Sequence, residues 1–239
     1  MKRLLTIISA FFIVFTGCNR EPYADAVISP NPAYVGEDVY FEDRSLNTES
    51  VEWDFDDGYK STAFNPIHYY VHPDYYDVIQ KAFGKKTGLD IMIYELRIIG
   101  SSIKIEVRDV VDEVLIPEAS ILLYPTLEDW NNQTYASEEY WTNNYGICII
   151  EGLSYQRYYV DVWINDGYNN WGLGLESVDW IETQMLAGGY DNTFIAYVDF
   201  YDTGKKSASR TRPENIKAGP KDASSSDLLK DNKISVPKK

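Results

Sequence analysis

The chain has 239 residues, 44% of them apolar and 25% charged, a globular composition with enough apolar material to build a core. Its formal charge of −15 is divided along the chain: Lys2 and Arg3 open it, ten Lys and Arg face four Asp and Glu over residues 204–239, and residues 18–203 carry −23. So acidic a body repels phosphate backbones, which excludes nucleic acid as a partner of the folded part and leaves a basic partner, a cation such as calcium, or simply a soluble acidic surface.

At the N-terminus, Met1-Lys2-Arg3 precedes an apolar run of twelve residues, 4–15, and then Thr16-Gly17-Cys18. A run of that length suits the apolar region of a secretory signal and falls short of the ~20 residues that span a bilayer. This segment resembles bacterial lipoprotein precursors, whose small residues precede a cysteine that is acylated and becomes the mature N-terminus. The resemblance implies a signal peptide over 1–17, lipidation of Cys18 and a lipidated tether over 18–23. Asn19 in place of the Asp that retains such proteins at the inner membrane implies the outer membrane, with the periplasmic or exterior face left open. Cys148 is the other cysteine, so no disulfide framework forms. Its run, Gly146-Ile147-Cys148-Ile149-Ile150, reads as core, with the thiol a small buried hydrophobe.

Strand-like stretches follow at 26–29, 38–42, 50–55, 67–71, 76–83 and 89–99. Val51, Trp53 and Phe55 alternate with Glu52 and Asp54, the period of a half-buried strand. Ser29-Pro30-Asn31-Pro32, Asp57-Gly58 and Gly84-Lys85-Lys86 supply turns between them. The pattern predicts an antiparallel sandwich. Trp53-Asp54-Phe55-Asp56-Asp57-Gly58, then Asn65-Pro66-Ile67-His68-Tyr69-Tyr70, then Tyr76-Asp77-Val78, resemble the signature of the PKD (polycystic kidney disease) domain over residues 24–99. Asp56 stands where the family has Gly, and Asp74 where a Gly often precedes the Tyr. The resemblance implies an Ig-like fold with His68 as a structural strand residue.

A second series begins at Gly100-Ser101-Ser102. Ile103, Ile105 and Val107 alternate with Lys104, Glu106 and Arg108, and further strands are predicted at 119–124, 146–151, 157–164 and 193–200, with a short helix over 177–187. Val107-Arg108-Asp109, Pro117-Glu118-Ala119, Thr142-Asn143-Asn144-Tyr145-Gly146, Gly152-Leu153 and Tyr158-Tyr159-Val160 make residues 100–203 similar to carboxypeptidase regulatory-like, or transthyretin-like, sandwiches. Such modules are non-catalytic. The fold class expected is all-β, two tandem Ig-like antiparallel β-sandwiches, followed over 204–239 by a basic tail too poor in apolar residues to order itself.

No catalytic motif stands out: the sequence holds no H-E-x-x-H, no G-x-S-x-G and no phosphate-binding glycine loop. His68 and His72, the only two histidines, read as structural. Asp54, Asp56 and Asp57 cluster before Gly58 without the D-x-D-x-D-G spacing of a calcium loop, so calcium and a plain turn network both stay open. Two polar stretches, Glu128-Asp129-Trp130-Asn131-Asn132 and Asp166-Gly167-Tyr168-Asn169-Asn170-Trp171, have a composition that suits sugar stacking and hydroxyl recognition. Trp130, Asn131, Tyr168, Asn169 and Trp171 are therefore candidate glycan ligands, with packing of the tryptophans over the sandwich ends as the other reading. The function expected is a membrane-anchored envelope lipoprotein, not an enzyme, that serves as a protein-interaction or spacer module; the alternative is a carbohydrate-binding lipoprotein. The expected partners are the membrane, through the lipid, and an envelope protein or polysaccharide.

Overall fold

The computed structural model describes residues 20–85, 88–165, 168–200, 217–218 and 233–237. Eight strands form the first unit: β1 (Ala26–Ser29), β2 (Ala33–Tyr34), β3 (Val39–Asp43), β4 (Thr48–Asp54), β5 (Lys60–Ser61), β6 (Ile67–His68), β7 (Tyr75–Gly84) and β8 (Leu89–Ile99). They make two facing sheets, β1-β3-β6 and β2-β8-β7-β4-β5. Alternation decides what lies between them: Val39 and Phe41 enter from one sheet, Val51, Trp53, Val78 and Leu96 from the other. Phe41 meets Trp53 and Phe55 with ring centroids 5.5 and 5.0 Å apart, and the buried indole of Trp53 donates to the carbonyl of Ala63 at 3.1 Å. At the departure from the PKD pattern, Asp56 keeps the left-handed backbone of a glycine, with φ 64°. Its N–H is bound by Asp54 Oδ1 at 3.3 Å and its Oδ2 accepts from the Asp77 N–H at 3.0 Å, local bonds of the kind that let Asp occupy that region.

The second unit contains β9 (Ser101–Asp109), β10 (Ser120–Tyr124), α1 (Leu127–Asn132), β11 (Tyr140–Trp141), β12 (Ile147–Leu153), β13 (Tyr159–Asn165), β14 (Tyr168–Asn169), α2 (Trp171–Glu176), a 3-10 turn (Val178–Trp180), β15 (Tyr190–Phe200) and β16 (Lys233–Pro237). Strand order is β11-β10-β13-β14-β15-β9-β12, with β16 on β15. The short β14 joins the two halves, pairing with β13 through Asn169 and Trp163 and with β15 through Tyr168 and Phe200. Ile103, Ile105 and Val107 of β9 pack with Ile121 and Leu123 of β10, Val160 and Val162 of β13, and Phe194, Ala196 and Val198 of β15. Pairing is mainly antiparallel, but β2 runs parallel to β8 and β9 parallel to β15, so in each unit the last long strand returns beside an early one.

Two features differ from the sequence expectation. The helix predicted over 177–187 does not form: α2 ends before it at Glu176, and the stretch holds only the 3-10 turn, because Ser177 adopts extended backbone, φ −155° and ψ 139°, before its side chain caps the turn through the Asp179 N–H. The segment 127–132, where no helix was expected, is helical because Thr126 caps it, its Oγ1 accepting from the Asp129 N–H at 3.0 Å, with Glu128 and Asp129 in the first turn. Most of residues 204–239 lies outside the described residues. Of the described residues there, Lys217 and Ala218 lie beside α1, and β16 pairs antiparallel along Tyr190–Phe194 of β15. An open strand edge offers unpaired N–H and C=O groups to any extended segment, whatever its composition.

The units meet closely. Gly100 alone separates β8 from β9, and a Cβ there would stand 2.7 Å from the Gly152 backbone. Tyr155 of the second unit packs against the first unit's core, directly over Gly36, where φ is +76° and a Cβ would come within 2.6 Å of the Tyr155 ring. Its N–H donates to the Val71 carbonyl at 2.8 Å, and the Gly188 N–H donates to the Val35 carbonyl at 3.2 Å.

Candidate functional site

The turn after β4, strand β6 and the segment leading into β7 converge on one side of the first unit. His68, on β6, places Nε2 2.6 Å from Asp57 Oδ2, with the two side chains 15% and 17% exposed. Its ring lies flat on Phe55, centroids 4.3 Å apart and 9° between planes, and meets Tyr70 edge-on at 4.8 Å. Asp57 Oδ1 also accepts from the Tyr59 N–H at 3.1 Å, so the carboxylate is held from two directions. Beneath this, the Tyr70 hydroxyl donates to the Phe55 carbonyl at 3.2 Å and the Tyr76 hydroxyl to the His72 carbonyl at 2.9 Å. Burial, with the negative Asp57 second, pushes both phenols above their ordinary range.

Above these buried rings opens a cleft of about 410 Å³ lined by Asp57, Tyr59, His68, Tyr69, Val71, His72 and Tyr76. Tyr59 is 68% exposed and Tyr69 49%. One side of the cleft adjoins the second unit: His72 Nδ1 is 2.9 Å from Ser154 Oγ, and Tyr69 meets the Tyr155 ring edge-on at 6.2 Å. The histidines serve different partners, His68 a carboxylate and His72 a serine. A nucleophilic relay needs one imidazole between the two, and these pairs do not form that chain.

The candidate calcium ligands are not brought together. Asp54 is paired with Lys60, Nζ to Oδ2 2.6 Å, and this bond holds its carboxyl below the usual range. Asp56 accepts from Asp77, and Asp57 is committed to His68. Among the described residues no group of three or more His, Cys, Asp or Glu is placed to hold a metal ion. The turn-network reading of this cluster describes the geometry, and the calcium reading is corrected.

The candidate glycan ligands are corrected too. Trp130 is fully buried and Trp171 nearly so, in a small second core with Tyr124, Val178, Ile181 and Ala218. That core covers the outer face of β10 and β13, whose Leu122, Tyr159 and Trp163 pack into it. Trp130 Nε1 donates to the Val160 carbonyl at 3.2 Å and Trp171 Nε1 to Asp161 Oδ1 at 3.1 Å. Asn131 exchanges two hydrogen bonds with Ala218, at 3.2 and 2.8 Å, and Asn169 Oδ1 accepts from the Trp171 N–H at 2.9 Å. Tyr168 is half-buried against the main core. A ring packed on both faces has none to offer a sugar. Cys18 lies outside the described residues. Cys148 is buried, and burial pushes its thiol up.

Tyr59, Tyr69 and Val71, which carry the exposed surface of the cleft, were not singled out by the sequence. The adjacent pair Tyr69-Tyr70 held a partial signal, because neighbours on an extended segment point to opposite sides and one of the two must face out.

The chain matches no protein-family model and no curated protein. Among solved structures it is similar to the PKD1 domain of the Vibrio cholerae metalloprotease PrtV, at 22% identity over 33% of this chain and 98% of that one, TM-score 0.30. It is similar also to the PKD1 domain of Vibrio anguillarum Epp, at 20% identity over 34% of this chain and 95% of that one, TM-score 0.30. A longer stretch, 75% of this chain and 71% of the other, is similar to BcpA, the major pilin subunit of Bacillus cereus, at 9% identity and TM-score 0.30. In architecture the chain is all-β, two β-sandwiches in tandem.

Proposed function

We propose that this chain is a non-catalytic, lipid-anchored module of the bacterial outer membrane that carries a binding surface on two sandwiches held in fixed relation. The observation that carries the reading is the joint: Tyr155 is packed against the first unit's core and tied to Val71, and Gly188 is tied to Val35. Two units fastened in this way move as one body, which suits a spacer or docking module. In this reading the first unit is a PKD-like module and the second, over residues 100–203, a carboxypeptidase regulatory-like one.

Cys18 gives the body its orientation to the membrane. The first backbone pairing is at Tyr23, whose N–H and carbonyl exchange hydrogen bonds of 2.9 Å with Leu46. Five residues of extended chain reach at most about 18 Å, so a lipid on Cys18 holds the first unit close against the bilayer. Acyl chains contribute about 0.8 kcal/mol per buried methylene, and two or three of them make the attachment durable.

The test is metabolic labelling with radioactive palmitate followed by membrane fractionation. Wild-type protein is expected to carry label and sediment with the outer membrane, while Cys18→Ser loses the label. Unlabelled wild-type protein in the soluble fraction overturns the anchor.

A further inference from the structure

The cleft beside Asp57 and His68 is a built cavity that the anchor-and-spacer reading does not use. Its volume of about 410 Å³ falls within the roughly 300–1,000 Å³ of small-ligand sites. Its surface is divided by chemistry. Tyr59 and Tyr69 turn large parts of their rings to solvent, 68% and 49% exposed, while their neighbours Tyr70 and Tyr76 are buried. Flat amphipathic rings left in water stack on the C–H faces of pyranose rings while their hydroxyls remain available for hydrogen bonds.

Polar groups stand between and beside these rings, and their positions are fixed in advance. Asp57 is held by His68 at 2.6 Å and by the Tyr59 N–H at 3.1 Å. The His72 ring is held through Nδ1 by Ser154 of the second unit at 2.9 Å, which leaves Nε2 as the atom that can reach a ligand. Pre-organised donors and acceptors reduce the ordering cost of binding a hydroxylated ligand. Charge narrows the class further. Asp54, Asp56 and Asp57 lie together in sequence, and residues 18–203 carry −23, so an anionic ligand is repelled.

We propose that this cleft binds a neutral glycan, with one sugar ring stacked on Tyr59 or Tyr69 and its hydroxyls hydrogen-bonded by Asp57 and His72. This places carbohydrate recognition in the first unit, at its border with the second, and not in the segments around Trp130 and Trp171. It stands independently of the lipid anchor, because the protein without its leader suffices to test it.

The test is affinity electrophoresis, then titration calorimetry, of the chain from residue 19 onward against laminarin, xylan, mannan, cellohexaose and chitohexaose, with alginate as the anionic probe and oligoproline as a peptide that also favours tyrosine-lined grooves. Binding to at least one neutral glycan is expected, weakened at least tenfold in Tyr59→Ala and in His72→Ala and unchanged in Tyr135→Ala, which alters another exposed tyrosine on the second unit. Tyr59→Leu, which keeps bulk but loses the aromatic face, should fail like Tyr59→Ala, and an unchanged thermal transition shows that the variants are folded. Absence of binding to every neutral probe overturns the proposal. So does preference for alginate or oligoproline, or full binding by a folded Tyr59→Ala/Tyr69→Ala double variant.

Discussion

Trp130 and Trp171 illustrate how one residue pattern serves two ends. Tryptophan flanked by Asn and Asp is a good sugar-binding composition, and it is equally a good way to close an outer core whose edges need hydrogen bonds. The indole N–H groups bond to Val160 and Asp161, and Asn170 spans β13, accepting from the Val162 N–H at 3.0 Å and donating to the Val160 carbonyl at 2.9 Å. Periodicity could not tell these uses apart, because the choice depends on whether another layer covers β10 and β13, and that is settled by contacts far apart in sequence. Replacing either tryptophan by alanine is expected to cost about 3–5 kcal/mol. Thermal denaturation followed by circular dichroism should show a Tm drop on the order of 10 °C. A drop of only a degree or two would mean that these rings are dispensable to the fold.

The buried phenols give a second expectation for single residues. Tyr70 and Tyr76 are shifted upward by burial, and Tyr94 is pushed up to about 12, again mainly by burial. In the unfolded chain such phenols release protons near pH 10, while the folded state retains them, so the unfolded state gains from rising pH and stability falls above about pH 10. Urea unfolding at pH 8, 10 and 11 should show this slope. Tyr70→Phe, which removes one of the shifted groups, should flatten it.

Among the elements, the strands were the most legible. Alternation over 51–55 and 103–108 appears unchanged as β4 and β9, because a sheet with one buried face repeats every two residues. The helices were not, since α1 and α2 are only six residues each, too short for an apolar stripe to emerge. Capping chemistry was the available signal for α1: Thr126 followed by Asp129 three positions later. Thr126→Ala is expected to cost about 1 kcal/mol, measurable as a shift in urea midpoint with unchanged slope. The candidate cleft was half legible in the same way. The turn Asp57-Gly58 and the strand bearing His68 were in view, but the place of Tyr69 and His72 against Tyr155 and Ser154 depends on contacts across more than 80 residues.

At the scale of the whole molecule, the joint is the feature the sequence concealed. A boundary at Gly100 suggests two separable units, yet Tyr155 belongs to the core on the far side of it. Gly36 is the counterpart that makes room, and no local pattern connects residues so distant. Coupled units should unfold together. Wild-type protein is expected to give one calorimetric transition, and Tyr155→Ala two, with the spacing between them reporting the strength of the joint. Two transitions already in the wild type would show that the contact does not couple the units.

The parallel pairing of β9 with β15 also dictates an order of events during folding. Its partners, Ile103 with Asn192 through Asp109 with Val198, are separated by about 90 residues, and loop closure over such a distance is slow. A chain made from its N-terminus presents the strands of the first unit early and β15 late. Until residues near 200 emerge, β9 stands with an open edge, an aggregation hazard. Truncation before Phe200 should therefore lower the yield of soluble protein on expression far more than the loss of a few residues from an ordinary surface loop.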